Sequence, residues 1–369
     1  MIKKLGLIIN PIAGLGGSVG LKGTDGMVKE ALKLGAVPQA SCRTKKALEQ
    51  LSVIKDDIEI LTCGDDMGEE AVLSLDFKAR IVYISNKDET DSTDTAKAAK
   101  IILHEDADLL LFVGGDGTAR DIYNAVNDKI PVIGIPAGVK IHSPVYAQNP
   151  SKAGELAKLY LTEKITRLEE AEVLDIDEDA YRKGKVITNL YGYLKIPFEK
   201  RYVQSRKAGT PLSDKANQNT ISYEIIDNMT EGVYYIIGPG TTTRPIMENM
   251  ALPNTLLGVD VVLNKKLVIK DAAEKHLLEV TKNNKCKLII TPIGGQGYLF
   301  GRGNQQISPE VLKNIGKDNI IVVATKQKVS ELYGKPFLVD TGDDNIDKML
   351  KGYIKVITGY KETMMYRIN

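Results

Sequence analysis

Asp116 stands inside Gly-Gly-Asp-Gly-Thr at residues 114–118, directly after the apolar run LLLFV at 109–113. A run of that kind fits a strand covered on both faces. The glycines after it make a turn from which side chains are excluded and backbone N–H groups are bare. Aimed at the start of a helix, such a turn suits phosphate, because the amides and the helix dipole both favour an anion. A carboxylate there repels phosphate unless it has a task of its own: accepting a hydroxyl proton or positioning a magnesium ion. Both tasks belong to phosphoryl transfer, where catalysis is mostly alignment of acceptor oxygen, phosphate and metal. The plain alternative is a strand–turn–helix connection with Asp116 as a local turn former.

Four further stretches carry chemistry. NPIAGLGGSVG at 10–20, with Asn10, Gly16 and Gly17, follows an apolar run and precedes a helical pattern, so a phosphate site is sensible there too, against a plain glycine-flexible loop. Its glycine spacing departs from the dinucleotide fingerprint of dehydrogenases, and the following AVPQASC lacks the acidic residue that would hold a ribose, so hydride transfer fits poorly. GVKIHS at 138–143 brings Lys140, which could neutralise phosphate charge, and His142, which could bond a ribose or phosphate oxygen or merely be solvated. In GPGTTTRPI at 238–246, Thr241, Thr242 and Thr243 offer hydroxyls and amides at a helix start, and Arg244 offers a planar fork for a pyrophosphate; a helix cap with a surface arginine is the bland account. GGQGYLFGRGNQQ at 294–306 adds Gln296, Arg302 and Asn304 on a glycine-rich turn, and VDTGDD at 339–344 reads as a solvated turn, since its spacing matches no calcium loop.

The elements that must position these groups alternate. KLGLIIN, AVPQAS, IEILTC, RIVYIS, LLLFVGG and PVIGIP read as strands, separated by helical patterns with threonines 24, 44 and 93 placed as N-caps. Such alternation specifies a doubly wound parallel sheet with helices on both faces, and it puts GGDGT at a strand's C-terminal end, where ligands bind in open α/β sheets. Beyond a linking helix in NPSKAGELAKLYL the character changes. EAEVLDI, KVITNLYGYLKIPF, TISYEII and GVYYIIG read as strands with little helix between them. The expected organisation is an α/β domain over 1–145, a β-rich second domain over 146–330 closing a cleft over the first, and a segment over 331–369 packing back on the body.

Bulk composition narrows the partners. In 369 residues, 49 lysines and arginines face 48 aspartates and glutamates for a net charge of +1, which argues against nucleic acid or an anionic membrane. Three scattered cysteines share no CxxC spacing, so neither a disulfide framework nor a zinc site is expected. With no leader and no membrane-spanning run, a cytoplasmic protein is the expectation.

GGDGT is the hallmark of the NAD kinase, diacylglycerol kinase and phosphofructokinase superfamily. The stretches at 9–26, 134–147, 236–246, 256–262, 291–312 and 339–360 resemble its ATP-NAD kinase/AcoX branch over most of the chain. The resemblance implies an NAD kinase-like two-domain fold and transfer of the terminal phosphate of ATP, with magnesium, to the 2′-hydroxyl on the adenosine ribose of NAD, giving NADP. It makes Asp116 the acceptor-activating carboxylate, has Gly114, Gly115, Gly117 and Thr118 shape the phosphate loop, and puts Gly238, Gly240, Thr241, Thr242, Thr243 and Arg244 in the turn that lines the dinucleotide site. It also implies a homo-oligomer. NAD kinases carry an Asn-Glu pair that grips ribose hydroxyls; here Asn189 is followed by Leu190. Lipid kinases of the superfamily favour Asn-Glu soon after GGDGT, where this chain has Arg120 and Asp121. Another nucleotide or a small polyol as acceptor, and a nucleotide-binding protein without turnover, are the rival readings.

Overall fold

The structure is a computed structural model and describes residues 2–21, 27–87, 89–138, 141–176, 188–199, 202–203, 214–255 and 257–369. Two of the sequence expectations, the Thr24 cap and Lys140, lie outside them. The chain runs through β1 (Lys3–Ile9), α1 (Val28–Lys33), α2 (Ala40–Leu48), β2 (Ile58–Cys63), α3 (Glu69–Leu73), β3 (Ala79–Tyr83), α4 (Ser92–His104), β4 (Leu109–Gly114), α5 (Asp116–Val126), β5 (Val132–Pro136), α6 (Pro150–Leu161), β6 (Leu168–Ile176) and β7 (Thr188–Pro197). It continues through α7 (Lys215–Asp227), β8 (Tyr234–Ile237), α8 (Arg244–Asn249), β9 (Asp260–Leu263), β10 (Lys266–Ile269), α9 (Glu274–Asn283), β11 (Cys286–Ile290), β12 (Tyr298–Phe300), α10 (Pro309–Ile315), β13 (Ile320–Val323), α11 (Lys326–Ser330), β14 (Leu338–Val339), α12 (Asp344–Leu350), β15 (Gly352–Gly359) and β16 (Glu362–Ile368).

Two compact units form. The first comprises Met1–Leu15, Thr24–Val28 and Val37–Arg206; the second comprises Gly16–Gly23, Lys29–Ala36 and Lys207–Asn369. In the first, five strands pair in parallel in the order β3-β2-β1-β4-β5. Beside the central β1 runs β4, where Leu109, Leu110, Leu111, Phe112 and Val113 are all fully buried, as a strand covered on both faces requires. Helix α4 packs on α5, and α2 on α6. The antiparallel hairpin β6–β7 completes the unit, packing on α5. Strand order reverses between β1 and β4. That switch point is where an open parallel sheet offers a crevice to a ligand.

The second unit holds a seven-stranded sheet, β10-β9-β8-β11-β13-β15-β16. Strands β8, β11, β13 and β15 run parallel, β9 and β16 run against them, and β10, antiparallel to β9, runs with them again. No helix among the described residues is long and apolar enough to cross a membrane.

The sequence expectations hold for most of these elements and fail at four. AVPQAS contributes no strand, so PVIGIP is the fifth strand of the sheet and not the sixth. Pro38 lacks the N–H that a ladder needs, and the burial of Ala40, Thr44, Ala47 and Leu48 marks one face of α2. Thr44 therefore sits inside α2, its hydroxyl donating to the Ala40 carbonyl at 2.8 Å, and caps nothing. Thr93 likewise yields to Asp91, which caps α4 by accepting the Thr93 N–H at 2.8 Å and completes a capping box with Asp94. TISYEII lies in α7: its β-branched content reads as strand, but Gln218, Ile221, Ser222 and Ile225 are the buried positions, a helical period.

Candidate active site

Strand β4 ends at Gly114 and α5 begins at Asp116, so GGDGT occupies the strand–helix junction at the switch point. Asn10 follows β1 next door. Its backbone N–H donates to the Val113 carbonyl at 3.0 Å, and its side-chain amide donates to Thr118 Oγ1 at 3.0 Å, clamping the two strand ends together. Two of the glycines are needed for packing within this unit. A Cβ on Gly114 would meet Thr118 Oγ1 at 2.3 Å, and one on Gly138 would meet the Gly115 Cα at 2.6 Å. Gly117 differs. A Cβ there would meet only the far end of Arg120, at 3.9 Å, so this glycine leaves open space over the first turn of α5.

Asp116 is 5% exposed, and three donors face it. The backbone N–H of His142 donates to Oδ2 at 2.7 Å, that of Ser143 donates to Oδ1 at 3.0 Å, and His142 Nδ1 lies 3.1 Å from Oδ2. The loop that supplies them is itself fixed. Ser143 Oγ donates to the Leu174 carbonyl at 2.8 Å and accepts the Leu174 N–H at 2.9 Å, tying it to β6. Tyr146 closes the arrangement by donating its hydroxyl to the Gly115 carbonyl at 2.5 Å. The fold therefore brings Asn10, Gly114, Gly115, Asp116, Gly117, Thr118 and His142 together. Gly16 and Gly17 are buried but group with the second unit, where the Ser18 carbonyl accepts the Glu274 N–H at 3.2 Å at the start of α9.

In the second unit, residues 238–243 follow β8, and their three threonines do different things. Thr243 Oγ1 donates to the carbonyls of Gly238 at 2.8 Å and Gly240 at 3.0 Å, locking the turn from inside. Gly240 needs its glycine: φ is +141° and a Cβ would meet Thr291 Cγ2 at 2.5 Å. Buried Thr242 accepts from Lys328 Nζ at 2.9 Å, and Thr241 is exposed. The exposed Arg244 pairs with Glu248 one helical turn on, Nε to Oε1 at 2.6 Å. Two of the three candidates of the glycine-rich turn after β11 bond within the fold. Buried Arg302 pairs with Asp340 at 2.8 Å and stacks over the Tyr298 ring, Asn304 donates to the Leu299 carbonyl at 2.7 Å, and Gln296 is buried.

Residues 5–165 match the model of the ATP-NAD kinase N-terminal domain, and residues 230–368 match that of the ATP-NAD kinase C-terminal domain. The chain belongs to the ATP-NAD kinase family. No curated protein matches the sequence significantly. Among solved structures, the chain is similar to two from Bacillus anthracis str. Sterne. One, provisionally described as a diacylglycerol kinase, has 16% identity over 48% of this chain and 46% of that one, with a TM-score of 0.27. The other, described as a diacylglycerol kinase, has 16% identity over 48% of this chain and 43% of that one, again with a TM-score of 0.27. The match thus spans less than half of either neighbour, and likeness this low says nothing about the acceptor.

The expectation that Asn189 stands for the family's Asn-Glu pair falls on the β6–β7 hairpin. Asn189 and Leu190 lie on β7, both exposed, with Asn189 opposite Asp175 of β6. Asp175 accepts from Arg120 Nη1 at 2.7 Å, and the same guanidinium lies 5.6 Å from the centre of the Tyr191 ring. Sequence reasoning missed Lys328, Asp340 and Tyr146. Lys328 sits in an unremarkable KQK, Asp340 in a cluster that reads as solvated, and Tyr146 in a loop where only its depth of burial distinguishes it.

Proposed function

We propose that this protein is an ATP-dependent NAD kinase, transferring the terminal phosphate of ATP to the 2′-hydroxyl on the adenosine ribose of NAD. The observation that carries this reading is the GGDGT junction: a buried, fixed carboxylate at the first position of α5, beside a glycine with open space above it, in a chain of this family. Anions favour the start of a helix, and a carboxylate kept there matches a role with the acceptor hydroxyl. Asp116 is assigned to acceptor activation; Asn10, Gly114, Gly115, Gly117 and Thr118, with Gly16, Gly17 and Lys140, to the phosphates; Asn189 and residues 238–244 to the dinucleotide.

Among the described residues no three His, Cys, Asp or Glu side chains gather as a metal-ligand set. Magnesium prefers to keep its waters and to ride on substrate phosphates, so it would arrive with ATP and neutralise charge on the transferred group. The chain's own residues orient the hydroxyl and the phosphates around it. The protein is further assigned to the cytoplasm, as a homo-oligomer with small-molecule nucleotides as its partners.

Leu190 favours a second reading. It is 52% exposed where the family's glutamate grips a ribose, so the acceptor would be another nucleotide or a small polyol. Purified protein with magnesium, ATP and NAD, read with an NADP-specific dehydrogenase, separates the two. NADP formation supports the first reading; ADP release that needs a different hydroxyl compound, with no NADP, replaces it by the second. A protein that NAD stabilises without releasing ADP would be a binder alone.

A further inference from the structure

Arg120, one turn into α5, turns its three guanidinium nitrogens to three neighbours. Nη1 donates to Asp175 Oδ2 at 2.7 Å, and Nε lies 3.8 Å from Asp121 Oδ1. Nη2 is the atom that a Cβ on Gly117 would meet, at 3.9 Å, so it stands over the last glycine of GGDGT. Helix geometry puts it there, because a side chain leans toward the N-terminus and covers the residue three positions before its own. The group is held in that place. Asp175 lies on β6, which packs on α5, and the Tyr191 ring of β7 lies 5.6 Å from the guanidinium carbon. The Arg120 side chain is 34% exposed, within reach of a ligand. A tether between α5 and β6 uses Nη1 and leaves the Nη2 edge over the turn. That edge carries two N–H groups on a plane already fixed, which suits a phosphate oxygen. The charge of Asp116 opposes a phosphate at this loop, and a cation over the neighbouring glycine offsets it.

We infer that Arg120 is a binding residue for nucleotide phosphate: Nη2 donates to a phosphate oxygen lying over Gly117, while Asp175 and Tyr191 keep the guanidinium in place. The inference rests on the kinase reading above for its nucleotides and adds a cation to the phosphate loop. The phosphate belongs to ATP or to the pyrophosphate of the dinucleotide, and the two sources part in the test.

Arg120→Met keeps an unbranched stem and removes the guanidinium. Calorimetric titration of the full chain with magnesium-ATP and, separately, with NAD reads the two dissociation constants. One of them is expected to rise about tenfold or more, the scale of one lost charge-assisted hydrogen bond, while the other stays within about threefold. A rise for ATP assigns the phosphate to the donor, and a rise for NAD assigns it to the dinucleotide. Both constants within about threefold of wild type overturn the inference. A purely structural role is separated by a second pair of variants. Asp175→Asn weakens the tether and keeps the guanidinium, whereas Arg120→Met combined with Asp175→Asn lacks both charges. If Arg120 only ties β6 to α5, these two bind nucleotide alike and the inference falls; if Nη2 holds phosphate, the double variant binds about tenfold more weakly. The same comparison decides where Arg120→Met alone weakens both ligands or, with Asp175 left unpaired, does not fold. A wild type that binds both nucleotides without turnover removes the kinase reading and leaves this one standing. A wild type that binds neither overturns both.

Discussion

Lys328 Nζ lies 2.9 Å from Thr242 Oγ1, and the same ammonium lies 3.2 Å from Thr291 Oγ1. Thr242 follows β8, Thr291 follows β11 and Lys328 lies in α11 after β13, so one buried cation ties that helix to the turns after two neighbouring parallel strands. On the reading that residues 238–244 hold the dinucleotide, this lysine sets the shape of that turn. Lys328→Met fills a similar volume and removes the donor. It should raise the KM for NAD about tenfold, equivalent to ~1.4 kcal/mol, with the KM for ATP within about threefold. Steady-state kinetics of NADP formation check it, and an unchanged KM for NAD would separate the lysine from the binding turn.

Asp116→Asn should abolish turnover and also loosen the fold locally. An amide side chain has a single oxygen, so it can satisfy the His142 N–H or the Ser143 N–H but must present its own NH2 to the other. Leaving one buried amide opposed costs on the order of 1–3 kcal/mol. For a domain of this size that corresponds to a drop of roughly 2–10 °C in melting temperature. Calorimetry beside the NADP assay reads both effects. A variant that is inactive yet melts with the wild type would show that the two amides do not depend on the carboxylate.

Thiol chemistry gives an independent check on the cores. Burial, helped by the Asp94 charge, pushes the Cys63 thiol up to about 12, and burial pushes Cys286 up to about 11. Cys42 is exposed. A thiolate-seeking reagent at pH 8 should therefore titrate one thiol per native chain promptly and all three of the chain's cysteines after unfolding. Prompt modification of Cys63 would mean that β2 is not buried as described.

What could be read from the sequence follows from distance along the chain. The place of GGDGT at a strand–helix junction is local information, carried by five apolar residues and the glycines that follow them, and the structure keeps it. The pairing of Asp116 with His142 spans 26 residues and that of Lys328 with Thr242 spans 86, and no local period encodes either. At Arg302 the local sequence leaves two readings open, close approach by a ligand or a turn whose glycines serve geometry, and a partner that bears on them, Asp340, comes 38 residues later in a stretch that reads as solvent-facing. At TISYEII two local signals compete, β-branched composition against helical period, and burial against the sheet of the second unit decides for the helix.

Acid should act through the start of α4. Burial alone would push the Asp94 carboxyl up, but it accepts from the Tyr83 hydroxyl, the Asp91 N–H, the Lys87 ammonium and the Ser85 hydroxyl, and together these hold it below the ordinary value of 3.8. The other side of the bond moves in the opposite sense: burial and this carboxylate push the Tyr83 hydroxyl up to about 12. A carboxyl lowered in the folded state binds its proton more readily when unfolded. Its contribution is therefore fully present above the ordinary carboxylate value and is lost as pH falls through the folded one. Asp94→Asn should melt well below the wild type from pH 5 to 7, where the wild-type carboxylate is ionised and fully bonded. Below about pH 4 the gap should narrow as the wild type takes up the proton that the variant never needs. Melting curves of the two proteins across pH 2.5–7 measure it, and a gap that stays constant or widens in acid would mean that this buried carboxylate is not held ionised by its four donors.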